Sequence, residues 1–289
     1  MTSAGRKSGP RSGASKPESD SALAADPPGR AEISPLLAAV RQGREALMQL
    51  VTLSGLVARG ALRTRRPPGE LWRQLFEVGN RSLLFVMVTL GFIGMVLVFQ
   101  TCLQINRVTG DLSQVGAEFV KILVHEFGPT LTALMLATRV GAGIAAEVGS
   151  MVVTEQVDAL RMCGVEPVEY LLVPRFLATL FMTTVLSIFG ITAAVTLGAL
   201  TAYQTFHVSF GVFLDVSKLH AGDGLTFAAK CLAYGAAIPL VSGFCGFRTH
   251  GGSEGVGWAT TSAVVASSFA VIVLDFLISA VALLTWQAG

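Results

Sequence analysis

Long apolar runs alternate with short polar connections along this chain, and the runs have membrane lengths. No charged residue occurs from Ser82 to Asn106. At a rise of about 1.5 Å per residue, that stretch crosses a hydrocarbon core of about 30 Å. Further runs follow over roughly Glu118 to Ala146, Leu171 to just before Phe206, Gly224 to Phe247, and Val256 to Trp286. The pattern predicts an all-α integral membrane protein with five transmembrane helices, which would put the two termini on opposite sides. Ahead of the first span, apolar positions recur at helical spacing at Leu47, Leu50, Val51 and Val57, and again at Leu71, Leu75 and Phe76. Arg63, Arg65, Arg66 and Pro67 separate the two groups, so residues 35–80 are expected to form interfacial amphipathic helices, anchored by arginines and Trp72.

One polar segment breaks the rhythm. Between the second and third spans, Glu147 to Arg175 is charged, helix-patterned and compatible with water. Thr154 is placed to cap a short helix, Glu155 and Asp158 fall in its first turn, and Val157 and Leu160 share a face. Gly164 then supplies a left-handed stop. Pro167 suits the first turn of a second short helix, which Pro174 is expected to limit. The segment reads as a rigid lever joined directly to spans two and three.

Composition supports the membrane assignment: 52% of the residues are hydrophobic and only 14% charged, with a mean hydropathy of +0.62, outside the usual soluble range. Of the 21 Lys and Arg, 13 fall in residues 1–81, so that third is expected to stay cytoplasmic. Arg161, Arg175, Arg248 and His250 fall in the second and fourth connections, whereas Arg107, Asp111, Asp215, Lys218 and Asp223 nearly balance in the first and third. The N-terminus is therefore expected inside, Gly289 outside, and the polar lever in the cytoplasm. Residues 1–34, rich in Ser, Gly, Pro and Ala, are expected to form a disordered tail. Residues 81–289 would make up the five-span domain. Cys102, Cys163, Cys231 and Cys245 show neither disulfide nor metal spacing.

Ionisable residues inside spans are functional candidates by default. Counted from the helix ends, Glu126, Lys230 and Asp275 lie at similar depth in the outer part of the membrane. They are expected to line the mouth of a cavity, with Lys230 available to a lipid phosphate and the acids to its amine or to Lys230; a purely structural ion pair is the alternative. Arg139 is placed to snorkel or to pair with Glu147. Gly141, Ala145 and Gly149 recur every four residues, the small-residue pattern that lets helices pack closely in lipid. The glycines from Gly251 to Gly257 read as a tight turn, and HEFGP lacks the second histidine of a zinc protease helix. No GxxxxGK[ST] phosphate loop occurs. The chain is not expected to be an enzyme, to hold a metal or cofactor, or to bind nucleic acid.

The stretch HEFGPTLTALMLATRVGAGIAAEVGSMVVTEQVDALRMCGVEPVEYLLVPRFLA resembles the core of the MlaE (YrbE) permease family, the membrane subunits of MCE-associated ABC lipid transporters. GGSEGVGWATTSAVVASSFAVIVLDF resembles a second characteristic segment of that family, and the likeness extends from about Leu47 to Leu284. The resemblance implies a homodimeric permease in a bacterial inner membrane that moves phospholipid or a related lipid to or from a periplasmic MCE-domain protein. It also implies a separate cytoplasmic ATPase carrying ATP and Mg, and allows a small cytoplasmic regulatory subunit. Carried over by position, Glu155, Gln156, Asp158, Ala159 and Leu160, framed by Thr154 and Gly164, would form the coupling helix that seats in the ATPase. Phe92, Leu97 and Leu134 would accommodate acyl tails. An ion-coupled secondary carrier using Glu126, Lys230 and Asp275, or a membrane scaffold that recruits proteins through residues 154–170, are the alternatives.

Overall fold

The computed structural model describes residues 30–63, 69–108, 115–213 and 221–287. These residues are helical with short turns: α1 (Arg30–Arg63), α2 (Glu70–Val108), α3 (Val115–Ile122), α4 (Gly128–Leu136), α5 (Ala142–Val153), α6 (Gln156–Met162), α7 (Pro167–Leu171), α8 (Val173–Phe206), α9 (Phe210–Phe213), α10 (Ala221–Phe247) and α11 (Gly252–Gln287). Five stretches are long and apolar enough to cross a membrane: Glu70–Arg107, Val115–Val153, Pro167–Phe206, Gly222–Phe247 and Gly252–Leu284. The chain is a multi-pass membrane protein. It divides after Met48 into two units, the second of which, residues 49–289, holds all five spans. The expected tail lies outside the described residues up to position 29, and residues 30–34 already belong to α1.

The second amphipathic piece is not a separate interfacial helix, because Leu71, Leu75 and Phe76 lie on the opening turns of α2, which runs on unbroken into the first span. Nothing between Glu70 and Val108 would stop it: there is no proline and no glycine pair. Trp72 and Phe76 stay exposed on these turns. In α1, Val57 is fully buried among Leu172, Val173 and Val148, while Val51 is exposed.

Small residues set the closest helix contacts. A Cβ on Gly94 would come within 2.8 Å of Ala194, and one on Gly190 within 3.0 Å of Val86 and Leu90, so α2 and α8 approach nearly backbone to backbone. The main core gathers Val86, Leu90 and Val98 from α2, Leu123 and Leu136 from the second span, Leu186 from α8, and Tyr234 and Ile238 from α10. By contrast, only 11% of the most apolar window of α11 is buried inside the chain, against 33–44% for the other spans. Phe269, Phe276 and Leu284 face outward from it.

The second span departs twice from α geometry, at π-helical turns Leu123–Phe127 and Ala137–Gly141. Such single-turn bulges insert a residue and often mark functional positions. The first contains His125 and Glu126, and the second contains Arg139.

Candidate functional site

Proline chemistry helps assemble a charged cluster at the end of the bundle opposite α6. Pro129 has no N–H, so the carbonyl of His125, four residues earlier, loses its helical donor. Lys230 Nζ from α10 donates to that carbonyl at 2.9 Å. The same ammonium donates to Glu126 Oε2 at 2.7 Å and lies 2.9 Å from Asp275 Oδ1, so its three protons have three acceptors. Lys230 is fully buried. Two carboxylates against one ammonium leave an excess negative charge, and neutral donors share it: Tyr234 Oη donates to Asp275 at 2.5 Å, Thr130 Oγ1 to the same oxygen at 3.0 Å, and Ser279 Oγ to Glu126 Oε1 at 3.1 Å. A second proline repeats the device on the other face of α10. Pro239 frees the carbonyl of Gly235, and Thr179 Oγ1 of α8 donates to it at 3.0 Å.

The cluster forms one wall of a cavity of about 760 Å³. Its polar side presents Glu118, Lys121, His125, Glu126 and Asp223; its apolar side presents Ile122, Phe276 and Leu283. His125 lies 3.8 Å from Glu126 and 3.7 Å from Asp223. Its Nδ1 is buried without a hydrogen bond among the described residues. Lys121 also lines it and makes no ion pair among the described residues.

The structure thus brings Glu126, Lys230 and Asp275 together, as their depths suggest, but not in the arrangement expected for lysine. With every ammonium proton taken, Lys230 presents no donor to a lipid phosphate, and the residues that face the cavity are Lys121, His125 and Glu126. Tyr234, Thr130 and Ser279 were not legible as partners, because single hydroxyls in apolar helices are common. Prolines flanking the charged positions were the available signal. Leu97 and Leu134 pack against the core and Phe92 is exposed on α2; none of the three lines this cavity. Among the described residues no cluster of metal-ligating side chains occurs.

At the opposite end, α6 and α7 stand on the bundle as a lever. Thr154 does not cap α6: it ends α5, and its hydroxyl turns back to the Ser150 carbonyl at 2.8 Å. Glu155 takes the cap position instead, in a left-handed conformation with φ of 59°. The competing bond to the preceding turn is the one threonine makes when a helix already lies behind it. The C-terminal stop at Gly164 is as expected, with φ of +73°. Val165 N–H reaches Leu160 C=O and Gly164 N–H reaches Arg161 C=O, each at 3.0 Å, the paired bonds of a Schellman ending. Pro167 starts α7, and Pro174 lies in the first turn of α8 rather than closing α7. Val157, Pro167 and Leu171 are buried as anchors; Asp158, Arg161, Met162 and Cys163 are exposed. Asp158 and Arg161 pair at 2.9 Å.

Gly141, Ala145 and Gly149 face α10 and α11. A Cβ on Gly141 would meet Ser242 Oγ at 2.8 Å and Ser267 Oγ at 3.5 Å, one on Gly149 would meet Thr249 Oγ1 at 2.7 Å, and Ala145 is fully buried. Arg139 does not pair with Glu147. That acid pairs with Arg175 at 2.5 Å.

A five-span helical bundle with a buried charged cluster and an exposed helical lever is the architecture of a multi-pass membrane protein, and comparison with known proteins gives the family. The family described as Permease MlaE matches residues 71–281, and the chain belongs to it. A probable ABC transporter permease protein of Synechocystis is 32% identical over 237 residues, covering 81% of this chain and 90% of the relative. One from Rickettsia felis is 36% identical over 219 residues, covering 74% and 84%. The chloroplastic protein TRIGALACTOSYLDIACYLGLYCEROL 1 of Arabidopsis thaliana is 32% identical over 214 residues, covering 72% of this chain and 61% of that longer protein. This chain is an MlaE-family ABC transporter permease, a subunit type that works with a partner ATPase.

Proposed function

We propose that this permease moves phospholipid or a related lipid across or out of a bacterial inner membrane, driven by ATP hydrolysis on a partner subunit and exchanging lipid with a periplasmic MCE-domain protein. The observation that carries the reading is the two-sided cavity at Glu126. An apolar wall from α3 and α11 faces a polar wall from α3, the first π turn and α10, and an amphiphile needs both. The glycolipid in the name of the Arabidopsis relative points to the same class of cargo. In this reading Lys121, His125 and Glu126 meet the headgroup, while Lys230 and Asp275 hold the wall in place from behind.

Two copies of the chain would meet across the outward apolar face of α11, so that their cavities join, with N-termini cytoplasmic and C-termini periplasmic. The ATPase would grip α6, where Glu155, Gln156, Asp158, Ala159 and Leu160 are presented. Its closure would pull α5 and α8, the helices that flank the lever. ATP and Mg belong to that subunit.

The test is reconstitution of the permease with its ATPase in vesicles and measurement of ATP-dependent transfer of a fluorescent phospholipid to an MCE-domain acceptor. Lys121→Ala and His125→Ala should lower transfer several-fold with assembly intact. If Lys230→Ala and Glu126→Ala variants assemble and transfer lipid at the unmodified rate, or if an ion gradient without ATPase supports transfer, the reading fails.

A further inference from the structure

Most of the large apolar side chains that the chain leaves exposed lie on the five spans, where lipid covers them; Leu84, Phe92, Phe269 and Phe276 are of this kind. Met162 is not. It is 89% exposed, more than any other large apolar side chain among the described residues, and it closes α6, outside the five spans. Asp158 and Arg161 stand within a turn of it, with side chains 67% and 64% exposed, and two such charges place this turn in water rather than in hydrocarbon. A single exposed apolar residue is ordinary on a protein surface, but Val165 and Tyr170, just beyond the Gly164 turn, are exposed as well.

The geometry of α6 shows that Met162 has no task inside the lever. Val157 is buried and Leu160, three residues on, is half-buried, which fixes the inner face. Asp158 and Ala159 lie four and three residues before Met162 and share the outer face with it, and all three are exposed. In a Schellman ending the apolar positions that close over the last turn are those of Leu160 and Val165, so Met162 is not needed to finish the helix. Nor does it belong to either apolar core. Asp158 is already paired with Arg161 at 2.9 Å, and exposed pairs of this kind contribute little to a contact. What the outer face has to offer a partner is the apolar surface of Met162, beside a flat stretch at Ala159.

We infer that Met162 is the apolar anchor of the contact between this permease and its ATPase, seated in an apolar pocket of that subunit while Ala159 lets the pocket's wall lie close against α6. The inference rests on the reading of α6 as the ATPase contact and names the side chain that carries it. The occupant follows from the family, whose members are ABC transporter permeases, and from the connections of α6, which lead to α5 on one side and through α7 to α8 on the other. Interface energy concentrates in a few large side chains that become fully buried, with charged rims adding less. Methionine suits a joint that changes shape through a nucleotide cycle, because its unbranched, polarizable side chain repacks readily.

The affinity of the purified full chain in nanodiscs for its purified ATPase subunit, measured by biolayer interferometry, tests the anchor. Met162→Ala should weaken association about tenfold and Met162→Asp further, while Met162→Leu, which keeps the apolar volume, should stay within about threefold of the unmodified chain. Asp158→Ala combined with Arg161→Ala should also stay within about threefold. Unfolding midpoints of the Met162 variants without ATPase should be unchanged, since the side chain is almost wholly exposed, and this separates lost binding from lost fold. Ala159→Trp puts bulk on the same outer face and tells the two ways of failing apart. If it weakens association while Met162→Ala and Met162→Asp do not, α6 meets the ATPase without this anchor and the inference alone is overturned. If all three bind at the unmodified affinity, the reading of α6 as the ATPase contact falls with it.

Discussion

Two charged regions on the second span are built in opposite ways. At Glu126 the polar groups close on one another: a fully buried Lys230 spends its three protons on two carboxylates and a carbonyl, and three hydroxyls complete the set. At Arg139 the set stays open among the described residues, with a guanidinium nitrogen and a serine hydroxyl buried and unsatisfied, and one arginine unmatched. A closed network locks helices, because breaking it exposes charge to a low-dielectric interior. An open one contributes no such lock. The contrast separates a network that holds helices together from a group of charges whose loss costs the bundle little.

The contrast is broken most directly at Lys230. Lys230→Met leaves two carboxylates and the His125 carbonyl without their shared donor, and should cost about 3 kcal/mol, toward the low end for buried pairs because Glu126 is partly open to the cavity. Thermal unfolding in detergent should show a large drop, partly recovered when Glu126→Gln and Asp275→Asn are added. Gly149→Val should cost about 1–3 kcal/mol by overpacking against Thr249, and Thr249→Ala in the same chain should recover part of it. Thr179→Val removes the donor to the carbonyl that Pro239 frees, and should cost about 0.6 kcal/mol, the average for such bonds in membrane bundles. In a Pro239→Ala background, where a backbone N–H is restored, that cost should shrink toward zero. Arg139→Gln should change stability by less than about 0.5 kcal/mol. A large loss there would mean that the second region is structural too.

The architecture was legible because lipid imposes it: backbone groups must bond within a helix, so apolar run length reads as span count. The clustering of Glu126, Lys230 and Asp275 followed from counting residues inward from helix ends. What the count does not give is rotation about the helix axis, which decides whether Lys230 faces a cavity or its own partners. The two π turns shift that rotation, and neither leaves a compositional mark in LVHEF or ATRVG. In α6 the stop was clear, since Gly164 alone suits a left-handed residue, whereas the start was misplaced by one residue. Thr154 can cap the helix ahead or bond to the helix behind, and that ambiguity resolves only once α5 is known to reach Val153. The pairing of Glu147 with Arg175 rather than Arg139 lay beyond local reading, because Arg175 arrives from another helix.

In the proposed function α6 is the contact by which a cytoplasmic ATPase works the bundle, and the native Cys163 beside it is exposed while Cys102 and Cys231 are buried and Cys245 is half-buried. Labelling with a membrane-impermeant maleimide should therefore modify Cys163 in inside-out vesicles stripped of the ATPase, fail in right-side-out vesicles, and be blocked when the ATPase is restored. Modification of Cys163 from the periplasmic side, or labelling indifferent to the ATPase, would contradict it.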